Sequence, residues 1–171
     1  MDAQARFSRR NLLRGKINRT PAHRPPWSLP ENHFLDQCQR CCDCIDACET
    51  HVLIVGSGGF PEANYEQAGC SFCNACVESC SHGALVKHKG NEQKPWLQSP
   101  VINNNCLAEQ NVHCRTCGDF CEPEAIRFRL SVGGIAKPDI DREQCTGCGE
   151  CIASCPIKAI AMKSQEAADA A

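Results

Sequence analysis

The chain has 171 residues, a length that fits one ordinary domain or two small ones. Seventeen are Cys, aromatics amount to two Trp, one Tyr and six Phe, and 22% of residues are charged, for a formal net charge of −2. This composition excludes a large aromatic-aliphatic core and a disordered chain, and no apolar run approaches the ~18–20 residues needed to span a bilayer.

Residues 1–30 form a basic arm, with seven Lys/Arg against one acid, whereas residues 31–171 carry eleven bases against nineteen acids. An acidic body argues against nucleic acid as a partner, because phosphate binding needs a basic surface. Within the arm, Ser8-Arg9-Arg10-Asn11-Leu12-Leu13-Arg14 resembles a twin-arginine export motif. An export signal needs an apolar stretch of ~7–15 residues after the charges. Here Leu12-Leu13 runs straight into Arg14-Gly15-Lys16 and then polar, Pro-rich sequence as far as Pro30, so the expectation is a protein that is not exported. The motif reads either as a chance resemblance in a basic arm or as a retained docking segment. On the second reading Arg9, Arg10 and Trp27 are candidate docking residues.

The first Cys run is Cys38-x2-Cys41-x2-Cys44-x3-Cys48, and it opens a module placed at residues 31–89. Ile54-Val55-Gly56-Ser57-Gly58-Gly59-Phe60-Pro61 then reads as strand, Gly-Gly turn and strand. A phosphate-binding loop is excluded at these glycines, since no helix opening with Lys-Ser/Thr follows. The second run is Cys70-x2-Cys73-x2-Cys76-x3-Cys80. The polar stretch Lys87–Pro100 then reads as a connector, with the linker proper placed at residues 90–100. The second module is placed at residues 101–163. Its first run is stretched to Cys106-x7-Cys114-x2-Cys117-x3-Cys121, and a second strand–turn–strand pattern spans Arg129–Pro138. The last run, Cys145-x2-Cys148-x2-Cys151-x3-Cys155, ends in Pro156, and residues 164–171 read as a disordered tail.

The spacing carries the chemistry. Ligands every third residue let a tight loop wrap one corner of an iron–sulfur cubane, and C-x2-C-x2-C-x3-C-P is the bacterial ferredoxin pattern. The fourth Cys is expected one turn into a following helix, reaching the neighbouring cluster. Structural zinc takes four ligands from two separated knuckles and does not explain a third Cys at the same interval. Disulfides need an oxidising compartment and fit closely spaced triplets poorly. A thioredoxin-type site would need one C-x-x-C pair beside a βαβ unit, not seven. The segments Cys48-Glu-Thr-His-Val52-Leu53, Cys80-Ser-His-Gly-Ala84-Leu85, Cys121-Glu-Pro-Glu-Ala125-Ile126 and Cys155-Pro-Ile-Lys-Ala159-Ile160 align, so the unit is repeated. The expected fold is α+β, with tandem two-cluster ferredoxin-like modules built around 4Fe-4S clusters.

Cross-ligation then pairs Cys38, Cys41, Cys44 and Cys80 at a first site, and Cys70, Cys73, Cys76 and Cys48 at a second. Cys106, Cys114, Cys117 and Cys155 form a third, and Cys145, Cys148, Cys151 and Cys121 a fourth. Three clusters are expected outright; the fourth, at the Cys106 run, depends on whether Cys106 reaches across its long loop. Cys42 is left as a spare thiol, and His113 beside Cys114 is the strongest of the six His as a ligand, though packing or surface roles fit them better. No Ser-His-Asp set, Gly-x-Ser-x-Gly motif or carboxylate pair is present to support hydrolysis. The chain is expected not to be an enzyme.

Several residues outside the Cys pattern resemble the NapF family, the ferredoxin-type accessory proteins of the periplasmic nitrate reductase system. They are Ser8-Arg9-Arg10, Arg24-Pro25-Pro26-Trp27-Ser28, His33-Phe34-Leu35, Gly58-Gly59 and Cys121-Glu122-Pro123, beside the Cys38–Glu49, Cys70–Cys73, Cys106–Cys121 and Cys145–Pro156 runs. The resemblance implies a cytoplasmic iron–sulfur protein that meets the nitrate reductase catalytic subunit as a precursor, before its export. There it would aid maturation by delivering electrons or iron–sulfur units. The alternative is an electron-transfer ferredoxin or subunit that serves a respiratory oxidoreductase during turnover. Two departures from the pattern are Ser81 in place of Pro after Cys80, and Cys42 itself.

Overall fold

The structure is a computed structural model that describes residues 22–87, 94–130 and 133–164. Arg9 and Arg10, with the arm to residue 21, lie outside the described residues, as do positions 88–93 of the connector and the tail from residue 165.

In chain order the elements are α1 (Glu31–Gln37), α2 (Asp43–Asp46), β1 (Leu53–Val55), β2 (Pro61–Ala63), α3 (Ala75–Glu78), β3 (Gln98–Ile102), α4 (Thr116–Asp119), β4 (Ile126–Leu130), β5 (Ala136–Ile140), α5 (Glu150–Ala153) and β6 (Ile160–Ser164). This is a small α+β fold of short helices and two-stranded antiparallel sheets, ordered β1-β2, β3-β6 and β4-β5. The two strand–turn–strand patterns form hairpins. Leu53 faces Ala63 in the first, and Ile126 faces Ile140 in the second. In β4 the sequence Ile-Arg-Phe-Arg-Leu alternates, which buries Ile126 and sends Arg127 and Arg129 outward. Two-stranded ribbons have only edge strands, so Pro61, Pro100 and Pro138 are tolerated within them.

The two halves of the chain share one plan. In the second half, β3 pairs with β6 so that Ile102 faces Ile160 and Asn103 N–H donates to Ala159 O at 2.9 Å. In the first half the same role falls to irregular chain. Ser28 bridges Leu85, Leu29 N–H donates to Ala84 O at 3.1 Å, and Val86 N–H donates to Trp27 O at 2.9 Å. The outer part of the supposed basic arm is thus folded into the first half. Pro25, Pro26 and Trp27 are buried, because an apolar Pro-Pro-Trp segment supplies wall area that this aromatic-poor chain otherwise lacks. Arg24 is held there too. Its guanidinium lies 5.1 Å from the centre of the Phe34 ring and 5.4 Å from that of Phe60, and pairs with Glu31 at 2.8 Å.

The linker expectation needs a similar correction. Gln98, Ser99 and Pro100 are strand residues paired with Ser164, Lys163 and Met162, and Trp96 is buried against Tyr65 and Phe72. The same pairing makes Ser164 part of β6 rather than of the tail. Polar composition marked this stretch as a connector, but buried Gln98 donates to both the Tyr65 hydroxyl and Gly147 O, so its amide is satisfied inside the fold.

The apolar core is modest. A first cluster gathers Phe34, Val52, Leu53, Tyr65, Ala84, Leu85, Trp96 and Met162 with several Cys, and a second holds Ile126 and Ile160 with Cys117 and Cys151. No helix among the described residues is long and apolar enough to cross a membrane.

Candidate metal centre

Among the described residues, four of the five α-helices are single turns, far too short to persist alone. Each carries the third Cys of its run: Cys44 on α2, Cys76 on α3, Cys117 on α4 and Cys151 on α5, all buried. The fourth Cys was expected inside this helix and instead follows its C-terminus, at Cys48, Cys80, Cys121 and Cys155. The reason is local backbone. At the C-cap just before each fourth Cys (Ala47, Ser79, Phe120 and Ser154) ψ has flattened to between −14° and 5°, and three residues beyond that Cys the chain turns left-handed, at His51 (φ 54°), Gly83 (φ 70°), Glu124 (φ 51°) and Lys158 (φ 51°).

The Cys loops repeat a second device. In runs one, two and four, the residue just before the second Cys is left-handed (Arg40, Phe72, Gly147), and so is the residue just after it (Cys42, Asn74, Gly149). Such kinks curl the backbone so that amides point inward, as in anion-binding nests. Phe72 N–H reaches Cys70 Sγ at 3.4 Å, and Ala159 N–H reaches Cys155 Sγ at 3.2 Å. Run three departs from this pattern, since Arg115, after Cys114, has φ −132°.

The structure brings the Cys together across the runs. Cys38, Cys41, Cys44 and Cys80 line one cavity, walled by Phe34, Pro61, Ala84 and Leu85. Cys48, Cys70, Cys73 and Cys76 line another with Trp27, Val52 and Leu53. Cys106, Cys114, Cys117 and Cys155 line a third with Phe128 and Ile160. The fourth group is read from Cys151, whose thiol is raised by burial and then by the charges of Cys148, Cys145, Cys117 and Cys121. Cys106 therefore does reach. The stretched loop displaces the ligand rather than lengthening the path, because Cys41 lies 13 residues after Ser28 and Cys114 lies 12 after Ile102. Helix α1 occupies that interval in the first half, and the turn at 107–111 occupies it in the second. Lys137 pins this turn to β5 through Glu109 at 2.9 Å.

Electrostatics say what these cavities need. Burial, reinforced by Cys38, Cys76, Cys80 and Cys41, pushes the Cys44 thiol up to about 12. Burial and the neighbouring Cys70, Cys48 and Cys73 push Cys76 up to about 12. Cys117 is raised to about 11 by burial and then by Cys106, Cys114 and Cys155. Four thiolates cannot share such a cavity without a compensating positive charge, and iron bound to sulfur supplies it. Among the described residues no group of three or more His, Cys, Asp or Glu is placed to hold a metal ion. The thiols instead ring voids, the arrangement a polynuclear cluster needs, and soft thiolate donors in apolar walls suit an iron–sulfur cubane.

The remaining candidates sort by position. Cys42 lines the first cavity beside Cys41, but its Sγ turns to Arg40 O at 3.7 Å. Trp27, the third candidate docking residue, is packed into the fold. It is buried, edge-on to Phe72, with the Lys87 ammonium 4.6 Å from its ring centre. The grouping of Cys from different runs around shared cavities was legible in the Cys spacing. The Tyr65–Gln98–Trp96 group was not, because nothing in three scattered polar and aromatic residues marks them as neighbours.

Comparison with known proteins agrees with this chemistry. A family model described as a 4Fe-4S dicluster domain matches residues 112–159, a span that begins after Cys106. The ferredoxin-type protein NapF of Escherichia coli strain K12 is 44% identical over 154 residues, covering 90% of this chain and 92% of its own. NapF of Haemophilus influenzae is 38% identical over 165 residues with the same coverage, and the ferredoxin-type protein NapG of E. coli K12 is 30% identical over 158 residues, covering 82% and 68%. No solved structure matches. The fold, the Cys loops and these likenesses define a ferredoxin-type iron–sulfur protein that binds 4Fe-4S clusters. Within that class, the chain belongs to the NapF family.

Proposed function

We propose that this chain is a cytoplasmic, non-catalytic iron–sulfur protein that holds four 4Fe-4S clusters in two tandem two-cluster modules. Its task is to deliver electrons or iron–sulfur units to the precursor of the periplasmic nitrate reductase catalytic subunit. The observation that carries the cluster reading is the gathering of sixteen Cys into four cross-run groups. The partner rests on likeness to NapF along 90% of the chain.

When bound, each cluster would take up or release one electron at a potential set by its surroundings. The ligands would be Cys38, Cys41, Cys44 and Cys80; Cys70, Cys73, Cys76 and Cys48; Cys106, Cys114, Cys117 and Cys155; and Cys145, Cys148, Cys151 and Cys121. The protein's own work is to hold these thiolates, exclude water with apolar residues such as Leu53, Leu85, Ile126 and Ile160, and aim amides at the sulfurs.

Two measurements test the proposal. Anaerobically purified protein should carry iron and acid-labile sulfide in equal amounts, about sixteen of each per chain; zinc, or no iron, refutes it. An anaerobic pull-down should retain the precursor of the nitrate reductase subunit and release the mature form. Stable capture of the mature enzyme would instead favour a ferredoxin working in turnover. The arm is tested by removing residues 1–21 only, since Pro25, Pro26 and Trp27 belong to the core. Undiminished capture by that variant defeats docking through Arg9 and Arg10.

A further inference from the structure

The two halves are not beads on a string. At their contact, Cys70 of the second site donates its backbone N–H to Cys148 O, of the fourth site, at 2.8 Å. From sulfur to sulfur the route is Sγ–Cβ–Cα–N of Cys70, one hydrogen bond, then O=C–Cα–Cβ–Sγ of Cys148. Two side chains, half-buried Glu150 and buried Gln98, clamp both loops around that bond. Gly69 N–H donates to Glu150 Oε2 at 2.9 Å, and Gln98 Nε2 donates to Gly147 O at 3.1 Å and to the Tyr65 hydroxyl. Trp96 meets Tyr65 and Phe72 edge-on, with ring centres 6.0 and 5.8 Å apart.

The neighbours of each Cys give the order of the sites. Within the first half, α2, which carries Cys44 of the first site, packs on α3, which carries Cys76 of the second; within the second half, α5, with Cys151 of the fourth, packs on α4, with Cys117 of the third. Between the halves, Cys70 and Cys148 are mutual neighbours.

We infer that the four sites form one line in the order first, second, fourth, third, and that the Cys70–Cys148 hydrogen bond is its electronic junction. Gln98, Tyr65 and Glu150 are positioning residues that hold this junction at fixed length. An electron crossing it oxidises the second site by one and reduces the fourth by one, with no bond or proton exchanged. A low-potential one-electron donor at either end of the line supplies it, and a one-electron acceptor at the other end takes it. A hydrogen-bonded network centred on buried Gln98 suits this role because it fixes geometry that a plain linker would leave free. The inference rests on the cluster assignment proposed above.

The test is electron paramagnetic resonance on the full holoprotein reduced anaerobically with dithionite, after iron and sulfide analysis. Signals from the two halves should show mutual spin–spin broadening. Cys73→Ala, which empties the second site but spares Cys70, should remove the share of the fourth-site broadening that comes from the first half and leave the share that comes from the third site, and Cys41→Ala, at the first site, should leave both in place. In case Cys73→Ala does not fold, Glu150→Ala with a full iron load should weaken the interaction and Glu150→Gln, which keeps an acceptor, should restore it. Halves that do not interact, equal effects of Cys73→Ala and Cys41→Ala, or an interaction indifferent to Glu150→Ala would overturn the line. Too little iron for the second and fourth sites would sink the cluster assignment itself and the line with it.

Discussion

The residue four places beyond each fourth Cys decides how closely the backbone can approach a bound cluster. It is Val52, Ala84, Ala125 or Ala159, and each is almost wholly inaccessible to solvent. Large side chains have no room there. Ala159→Leu should cost about 1–3 kcal/mol through overpacking, read as earlier bleaching of visible absorbance in anaerobic urea titration. Cys42 poses the opposite case. It occupies a left-handed position, equivalent to Asn74 and Gly149, and points its sulfur at backbone. Cys42→Ala should keep the full iron content, whereas Cys41→Ala should lose one cluster, about four irons. Gly149 is constrained from both directions. Its φ is 84°, and an added Cβ would collide with the Tyr65 ring. Gly149→Ala should therefore destabilise the contact between the halves by about 2 kcal/mol or more, visible as a lower anaerobic melting temperature.

At the scale of elements, each one-turn helix is too short to be held by its own hydrogen bonds and is anchored by its buried third Cys. Cys44, Cys76, Cys117 and Cys151 are those anchors on α2, α3, α4 and α5. The third run shows how far the unit can be varied. Its first ligand has moved to the start of the interval that α1 fills elsewhere, and the turn at 107–111 is tied to β5 by the Lys137–Glu109 pair. Cys106→Ala should remove about four irons and leave the other three clusters in place, as counted by iron analysis and by the remaining paramagnetic signals. The Cys loops and both Gly-Gly hairpins were readable from spacing and turn residues. Strand β3 was not, because Gln98-Ser99-Pro100 has the composition of a loop. Its strand state comes from pairing with β6, some 60 residues away.

For the whole molecule, buried apolar residues outside the Cys sets are few among the described residues, and the first and second core clusters are completed by thiol side chains. Metal binding and folding are then one equilibrium. Removing iron anaerobically with a chelator and oxidant should abolish most of the far-ultraviolet circular dichroism signal, and restoring iron, sulfide and thiol should recover it. Retention of native dichroism in metal-free protein would mean that the apolar core suffices alone. The Tyr65–Gln98–Trp96 contact gives the two halves a shared interior, so they should unfold together rather than in two steps.

The Cys intervals alone determined the class of cofactor, the pairing of runs and the repeated unit, because ligand spacing on a tight loop is a local property that survives without its surroundings. Tertiary structure decided what depends on distant partners. It buried Trp27 in the first half and turned part of a polar connector into β3. It brought Cys106 to its cavity by displacing a ligand within an interval of nearly constant length, and it joined Cys70 to Cys148. Each of these rests on a contact between residues far apart in the chain, and no local pattern records such contacts.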